Sequence, residues 1–117
     1  MRTLVDTSVW IDHLHRPDKS LIHLLENDEV FIHPAVIGEL ACGTLKRRAE
    51  TLASLRLLPM APEADLDETL QMIENLELYG TGLSWVDVQL LASARLADAV
   101  LYTHEKRLAR LFSASRS

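Results

Sequence analysis

The stretch LVDTSVWID, residues 4–12, starts as an apolar strand and passes directly into a segment with helical spacing. Asp6 stands at the junction between the two. In an open α/β sheet, ligands bind in the crevice beyond the carboxyl ends of the strands, so an acid at this point is a candidate site residue. Asp is also a favoured N-cap residue, and capping of the following helix explains Asp6 equally well. The stretch alone leaves both interpretations open.

The rest of the chain alternates in the same way between short β-type runs and helical patterns. The expected strands cover 3–5, 30–32, 57–62 and 99–103, and the expected helices cover 9–14, 21–25, a segment from Pro34 to Gly43, 45–57, 64–78, 84–96 and 106–112. Strands that alternate with helices require crossover connections, which favour a parallel sheet covered on both faces. The sequence therefore predicts the α/β class, and the last residues, SASRS at 113–117, are expected to be disordered.

Length and composition favour an ordinary globular protein. The 117 residues suit one domain, 1–117, and the chain is 48% hydrophobic and 25% charged. Neither a secretory leader nor an apolar run long enough for a bilayer is evident, so a cytoplasmic location is expected. The single Cys42 cannot form an internal disulfide, and a buried structural thiol is the expectation.

The charge balance argues mildly against a nucleic-acid partner. The formal net charge is −5, whereas phosphate binding depends on Lys and Arg. The basic residues are clustered, however, in a run of Lys46, Arg47 and Arg48 and in a second group near the C-terminus that contains Lys106 and Arg107. Each cluster, taken alone, is more often a solvated helix face than a binding patch.

Four acids occupy related positions in this pattern. Asp6 follows the first strand, Glu39 lies in the helix after the second, Asp87 is in the first turn of the long helix, and Glu105 follows the last strand. A parallel sheet gathers such loops into one crevice, so the four carboxylates can converge. Like charges brought together raise one another's pKa and cost stability unless a cation neutralises them. Hard divalent ions prefer oxygen ligands, and Mg²⁺ keeps several waters while coordinating substrate phosphates.

Each acid also has a purely structural explanation. Ser84 and Asp87 have the spacing of a capping box, Glu39 suits an exposed helix face, and Glu105 suits the positive end of a basic helix. The shared topological position of all four favours the functional interpretation over these single ones.

Other familiar chemistries find little support. The histidines and the lone cysteine form no zinc pattern, no phosphate-cradling glycine loop is present, and no GxSxG elbow surrounds a serine. A phosphatase of the haloacid dehalogenase kind needs a second Asp two residues after the first, and that position is Ser8.

Four segments together resemble the PIN-domain ribonucleases, and among them the VapC-type toxins of type II toxin–antitoxin pairs. They are VDTSVWIDHL (5–14), HPAVIGELACGTL (33–45), GTGLSWVDVQLLASARL (80–96) and LYTHEKRL (101–108). The resemblance implies a three-layer α/β/α sandwich with a central parallel sheet. It also implies that Asp6, Glu39 and Asp87 match the family's three principal acids. The family usually has Thr-x-Asp in the last motif, where this chain has Thr103 and Glu105, so the fourth acid carries one extra methylene.

The implied activity is hydrolysis of RNA phosphodiester bonds with Mg²⁺ or Mn²⁺ held by the four acids, by attack of hydroxide in line on phosphorus. The hydroxyls expected near them are those of Thr7, Ser8, Ser84 and Thr103. The implied rim that contacts RNA consists of Lys46, Arg47, Arg48, Lys106 and Arg107. The implied partners are a VapB-type antitoxin and a second copy in a homodimer, with no membrane. For Trp10, Ile11, Val36 and Leu40, core packing is expected rather than antitoxin contact. A housekeeping PIN nuclease in RNA processing and a degenerate, non-catalytic PIN module are the alternatives left open.

Overall fold

The computed structural model describes residues 2–116 and contains three strands and seven helices in this range. In chain order they are β1 (Thr3–Val5), α1 (Thr7–His15), α2 (Lys19–Glu26), β2 (Val30–Phe31), α3 (Pro34–Cys42), α4 (Arg48–Arg56), α5 (Leu66–Asn75), α6 (Trp85–Leu96), β3 (Val100–Tyr102) and α7 (Lys106–Ser115). None of these helices is long and apolar enough to cross a membrane.

The three strands form a parallel sheet in the order β2-β1-β3. Thr3 is paired with Val30 on one side and with Val100 on the other. All three residues of β1 are buried, and successive strand residues face opposite sides, so both faces of the central strand are covered. This confirms the predicted α/β class with a central parallel sheet.

The strand order places the ends of β1 and β3 side by side. Val5 is opposite Tyr102, and the Asp6 amide donates to the Tyr102 carbonyl at 2.9 Å. The loops that follow these strands therefore begin next to each other. Helix α6, whose Val88, Leu90 and Leu91 are buried, packs against both strands from a position between them in the chain.

Both ends of α3 follow from local sequence. Pro34 occupies the first turn of α3, where its missing N–H costs nothing, and the His33 imidazole accepts a hydrogen bond from the Ala35 amide at 3.0 Å. His33 is buried, and burial lowers its pKa, although Glu63 acts in the opposite direction. Gly43 caps the other end of α3, as the sequence predicts.

Two predicted helices are shorter than expected. Arg47 has a left-handed backbone, with φ of 50°, so α4 begins at Arg48 and not at Leu45. A capping box between Asp65 and Glu68 starts α5 at Leu66, and the left-handed Glu77 follows its end. The apolar face of α5 also differs from the prediction, because Thr69 and Met72 are buried whereas Leu66 and Leu70 are exposed.

Three further expectations are wrong. The segment 57–62 makes only an isolated bridge between Ile32 and Met60, since Pro59 and Pro62 cannot donate to a strand ladder. Cys42 lies at the exposed end of α3 and not in the core. Residues 113–115 belong to α7 and are not disordered, while residue 117 lies outside the described residues.

Candidate active site

The Asp6 carboxylate is buried and does not cap a helix. Asp6 stands at the N-cap position of α1 with only 3% of its surface exposed, but its side chain bonds to no amide of that helix. Its Oδ2 accepts hydrogen bonds from the Ser8 hydroxyl at 2.8 Å and from the Thr103 hydroxyl at 2.7 Å. The capping interpretation of Asp6 is therefore wrong, and two hydroxyls from different segments fix the carboxylate instead.

The same two hydroxyls hold the turn after β3 against Asp6. The Ser8 Oγ accepts from the His104 amide at 3.1 Å, and the Thr103 Oγ1 accepts from the Glu105 amide at 3.0 Å. Glu105 occupies the N-cap position of α7, yet its carboxylate makes no capping bond. The Glu105 side chain is thus left free at the sheet edge where Asp6 lies.

Glu39 is attached to the start of α1 through a third hydroxyl. The Thr7 Oγ1 donates to the Glu39 Oε1 at 2.6 Å, which connects α3 to the residue that follows Asp6. Glu39 is exposed, as its structural explanation expects, but its carboxylate is oriented towards α1 and not towards open solvent alone.

Asp87 belongs to a capping box, as the spacing of Ser84 predicts. Its Oδ2 accepts from the Ser84 amide, and the Ser84 Oγ accepts from the Asp87 amide, both at 3.1 Å. This arrangement starts α6 and fixes the Asp87 carboxylate at the positive end of the helix. Capping uses one of its two oxygens, so the other remains available to a ligand.

Glu105 lies within electrostatic reach of the other three acids. Although the Glu105 side chain is exposed, partial loss of solvation raises its pKa, and the negative charges of Asp87, Asp6 and Glu39 raise it further, while Arg107 lowers it. Carboxylates from four separate segments therefore share one region. Within residues 2–116, however, no three or more His, Cys, Asp or Glu side chains are arranged so that they could hold a metal ion. The acids lie near each other without forming a closed cage.

The donor set fits a hard divalent cation. The side chains that could donate to a metal here present carboxylate and hydroxyl oxygens, and the repulsion at Glu105 is the charge imbalance that a cation would relieve. Mg²⁺ needs one or two direct carboxylates and keeps several waters, so an open group of acids suits it better than a cage.

Glu105→Gln is expected to stabilise the metal-free protein at neutral pH. Because the raised pKa means that ionising Glu105 costs more in the folded state, the stabilisation appears above the ordinary carboxyl pKa and disappears below it, where both states are protonated. The gain should stay below about 1 kcal/mol, since Glu105 is exposed and solvent screens its charge. Urea unfolding in EDTA, at neutral pH and again below the ordinary carboxyl pKa, measures this difference in stability. A Glu105→Gln protein less stable than wild type at neutral pH would contradict the prediction.

Comparison with protein families gives the decisive match: the PIN-domain model matches residues 3–112. The chain belongs to the PIN-domain family. Curated proteins named "Ribonuclease VapC32", from two strains of Mycobacterium tuberculosis, are 46% identical to it over 106 residues, which are 90% of this chain and 86% of theirs. Among solved structures, PAE2754 from Pyrobaculum aerophilum superposes with a TM-score of 0.63 at 20% identity, covering 95% of this chain and 79% of that one. The resemblance to VapC-type PIN domains and the expected fold are confirmed.

The five rim cations of this PIN domain have different surroundings. Arg47 forms an ion pair with Glu50, and Arg48 donates to the carbonyls of Ala41 and Gly43 at the end of α3. Lys46 and Glu39 line the same hollow in the surface. Lys106 and Arg107 lie in the first turn of α7, directly after Glu105, and Arg107 is the one that lowers the pKa of Glu105.

A second polar network, which the sequence did not predict, includes His104, the residue between Thr103 and Glu105 of the PIN-domain site. His104 contacts Asp12 at 2.5 Å through Nδ1 and Asp18 at 3.2 Å through Nε2, and the Tyr102 hydroxyl donates to Asp18 at 2.7 Å. Burial and Asp18 raise the pKa of Tyr102 to about 12. Burial also raises the pKa of Asp18, but the Leu21 amide, Tyr102 and His104 outweigh this and lower it.

This network joins α1, the start of α2 and the turn that carries Thr103 and Glu105. Asp18 could have been noticed in the sequence as an N-cap residue after Pro17, but nothing local indicates its contact with Tyr102, 84 residues away.

The core expectations for α1 and α3 of the PIN domain are confirmed in part. Trp10, Val36 and Leu40 are buried, whereas Ile11 is 45% exposed and does not belong to the core. Ile11 follows Trp10 in sequence but points to another side of α1. Only part of the apolar surface of this helix therefore packs against the core.

Proposed function

We propose that this PIN domain is a metal-dependent endoribonuclease that acts as the toxin of a toxin–antitoxin pair. The observation that carries the proposal is the Asp6 carboxylate, buried at the end of β1, held by Ser8 and Thr103, and close enough to act with Asp87 and Glu39 on Glu105. The 46% identity to proteins named Ribonuclease VapC32 supplies the substrate class.

The four acids have different proposed tasks. Asp6 is preorganised by its two hydroxyl donors, and Asp87 is fixed by its capping box, so these two would be the principal metal ligands. Glu39, tied through Thr7, and Glu105 would complete the site directly or through water. Preorganised oxygens need no rearrangement when charge develops on the substrate, which is the electrostatic advantage of such a site.

Mg²⁺ or Mn²⁺ bound by these residues would supply a water acidic enough to give hydroxide near neutral pH and would neutralise charge on the phosphate. The reaction forms a bond between the water oxygen and phosphorus and breaks the bond between phosphorus and O3′. The products therefore carry a 5′-phosphate and a 3′-hydroxyl, with the proton taken up by the leaving oxygen.

The nature of the RNA ends tests this function directly. Purified protein is incubated with total cellular RNA and Mg²⁺ or Mn²⁺, and the fragments are sequenced from their 5′ ends by a method that ligates only 5′-phosphates. We expect new ends that ligate without prior phosphorylation. Fragments with 5′-hydroxyl and cyclic phosphate ends would contradict the mechanism, and intact RNA would favour a non-catalytic module.

The proposed antitoxin partner is supported by a groove between α1, α2 and α4. The groove has a volume of about 360 Å³, and its lining combines apolar side chains, among them Trp10, Leu14 and Leu58, with polar and charged ones such as Arg47 and Glu50. A VapB-type segment that presents an apolar face would cover the apolar side chains of this groove.

The proposed homodimer and cytoplasmic location belong to the same hypothesis. Exposed apolar side chains at Leu66 and Leu70 of α5, and at Trp85 and Leu96 of α6, offer area for a second copy. A toxin that cuts cellular RNA would act in the cytoplasm, where its substrate is.

A further inference from the structure

Gly82, in the loop before α6, provides the space in which the Arg107 side chain lies. Gly82 has a φ of +85°, and a Cβ atom added to it would be 2.2 Å from the Arg107 Nη1 and 3.1 Å from its Cζ. The guanidinium therefore occupies the volume that any other residue at position 82 would fill. Because Gly82 has no side chain, Arg107 of α7 can approach the loop closely.

This contact lies at the edge of the acid cluster. Gly82 is two residues before Ser84, whose capping box fixes Asp87, and Arg107 is two residues after Glu105. The charge of Arg107 acts on Glu105 in the direction opposite to that of the other three acids. The loop before α6 and the first turn of α7 thus place the positive charge of the Arg107 side chain beside the carboxylates.

The N–H groups of Arg107 are not used by the protein itself. Among residues 2–116, no hydrogen bond or ion pair within 4.0 Å engages its guanidinium. By contrast, Arg47 is paired with Glu50 and Arg48 bonds to the end of α3. An arginine that only neutralised the acids would be expected to form an ion pair with one of them. The Arg107 guanidinium instead lies against the Gly82 backbone and makes no bond to these residues.

We propose that Arg107, positioned by Gly82, binds a backbone phosphate of the RNA beside the four acids. The guanidinium presents paired N–H groups that match two phosphate oxygens, which a lysine cannot reproduce. The inference rests on the proposed ribonuclease function and deepens it, because it selects Arg107 from the five basic residues expected at the rim and assigns it one backbone phosphate beside the acids, in a position that depends on Gly82. It also explains how an acidic protein can hold a polyanion at this point.

The first test measures binding of a fluorescent, mixed-sequence single-stranded RNA by anisotropy in EDTA, where metal-dependent cleavage cannot interfere. Arg107→Ala should weaken binding about tenfold, as expected for one charge-assisted contact. The slope of log affinity against log salt should fall by about 0.7, the value for one phosphate of a single strand. Arg107→Lys should keep the slope but bind more weakly than wild type. Arg110→Ala, on the same helix, is the matched control and should change neither quantity by as much.

The second test separates the position of Arg107 from its presence. Gly82→Ala and Gly80→Ala impose similar backbone strain, since both glycines have positive φ, but a Cβ at Gly80 meets nothing within 4 Å. Gly82→Ala should displace the flexible end of Arg107 and weaken RNA binding several-fold beyond Gly80→Ala. In an Arg107→Ala background, Gly82→Ala should cost no more than Gly80→Ala. Thermal unfolding of the two alanine variants checks that both fold equally well.

Equal affinity and equal salt slope for Arg107→Ala and wild type would overturn the inference, as would equal effects of the two glycine variants. RNA binding too weak to measure in the wild-type protein would overturn it as well. Should Gly82→Ala fail to fold, the Arg107→Ala and Arg107→Lys measurements still decide. Cleavage by the wild-type protein with Mg²⁺ is scored separately, so the ribonuclease function can stand while the role of Arg107 fails, or the reverse.

Discussion

Asp6→Asn is expected to reduce RNA cleavage by at least about 100-fold, which is the loss typical of removing one preorganised charge-stabilising group. The amide oxygen can still accept the hydrogen bonds of Ser8 and Thr103, so the local structure should persist. What is lost is the negative charge that would hold a divalent cation. Initial rates of RNA cleavage at saturating Mg²⁺, with circular dichroism to check folding, measure the effect.

A matched control makes this result specific to the site. Asp67 is an exposed carboxylate in the first turn of α5, and it belongs to none of the four acid segments. Asp67→Asn changes the net charge by the same amount as Asp6→Asn. Because Asp67 lies outside the site, this change should leave the cleavage rate within about twofold of wild type. Equal activity of Asp6→Asn and Asp67→Asn would remove Asp6 from the mechanism.

Removal of divalent ions is expected to abolish cleavage without unfolding the protein. The folded core consists of apolar side chains around β1 and α6, so folding should not depend on a metal, whereas the pKa of Glu105 stays raised by partial loss of solvation and by the other three acids although Arg107 lowers it. EDTA should therefore eliminate RNA cleavage, and added Mg²⁺ or Mn²⁺ in excess should restore it. The far-ultraviolet circular dichroism spectrum should remain unchanged throughout.

EDTA saturated with Mg²⁺ beforehand is the control for this experiment, since it contains the same chelator but removes no ion. It should leave the rate at its starting value. RNA cleavage that continues at the wild-type rate in EDTA would contradict the metal-dependent mechanism. In that mechanism the bound metal is needed to make hydroxide available at neutral pH.

The class of fold and the grouping of the four acids could be predicted because both depend on local patterns. Apolar runs alternate with helical spacing, and three of the acids, Asp6, Asp87 and Glu105, follow a strand or lie in the first turn of a helix, while Glu39 lies within α3. Pro34, Gly43 and the pairing of Ser84 with Asp87 are local signals of the same kind, and the structure contains all three as expected. The acids' roles as metal ligands stay a prediction.

The features that sequence patterns did not give depend on contacts between distant segments or on single backbone angles. The bonds from Ser8 and Thr103 to Asp6 join residues 2 and 97 positions from it, and only the folded chain shows that they replace a helix cap. The left-handed Arg47 shortened α4 although no local signal predicts φ of 50° for an arginine. The space at Gly82 is likewise visible only once α7 is placed beside it.

Location of a bound divalent ion tests the central claim most directly. Crystals of the wild-type protein are soaked with Mn²⁺, and anomalous diffraction is collected near the manganese edge. The account predicts an anomalous peak coordinated by Asp6 and Asp87, with Glu39 or Glu105 within reach directly or through water. A manganese-soaked crystal with no peak among these four carboxylates, from protein that still cleaves RNA, would contradict it.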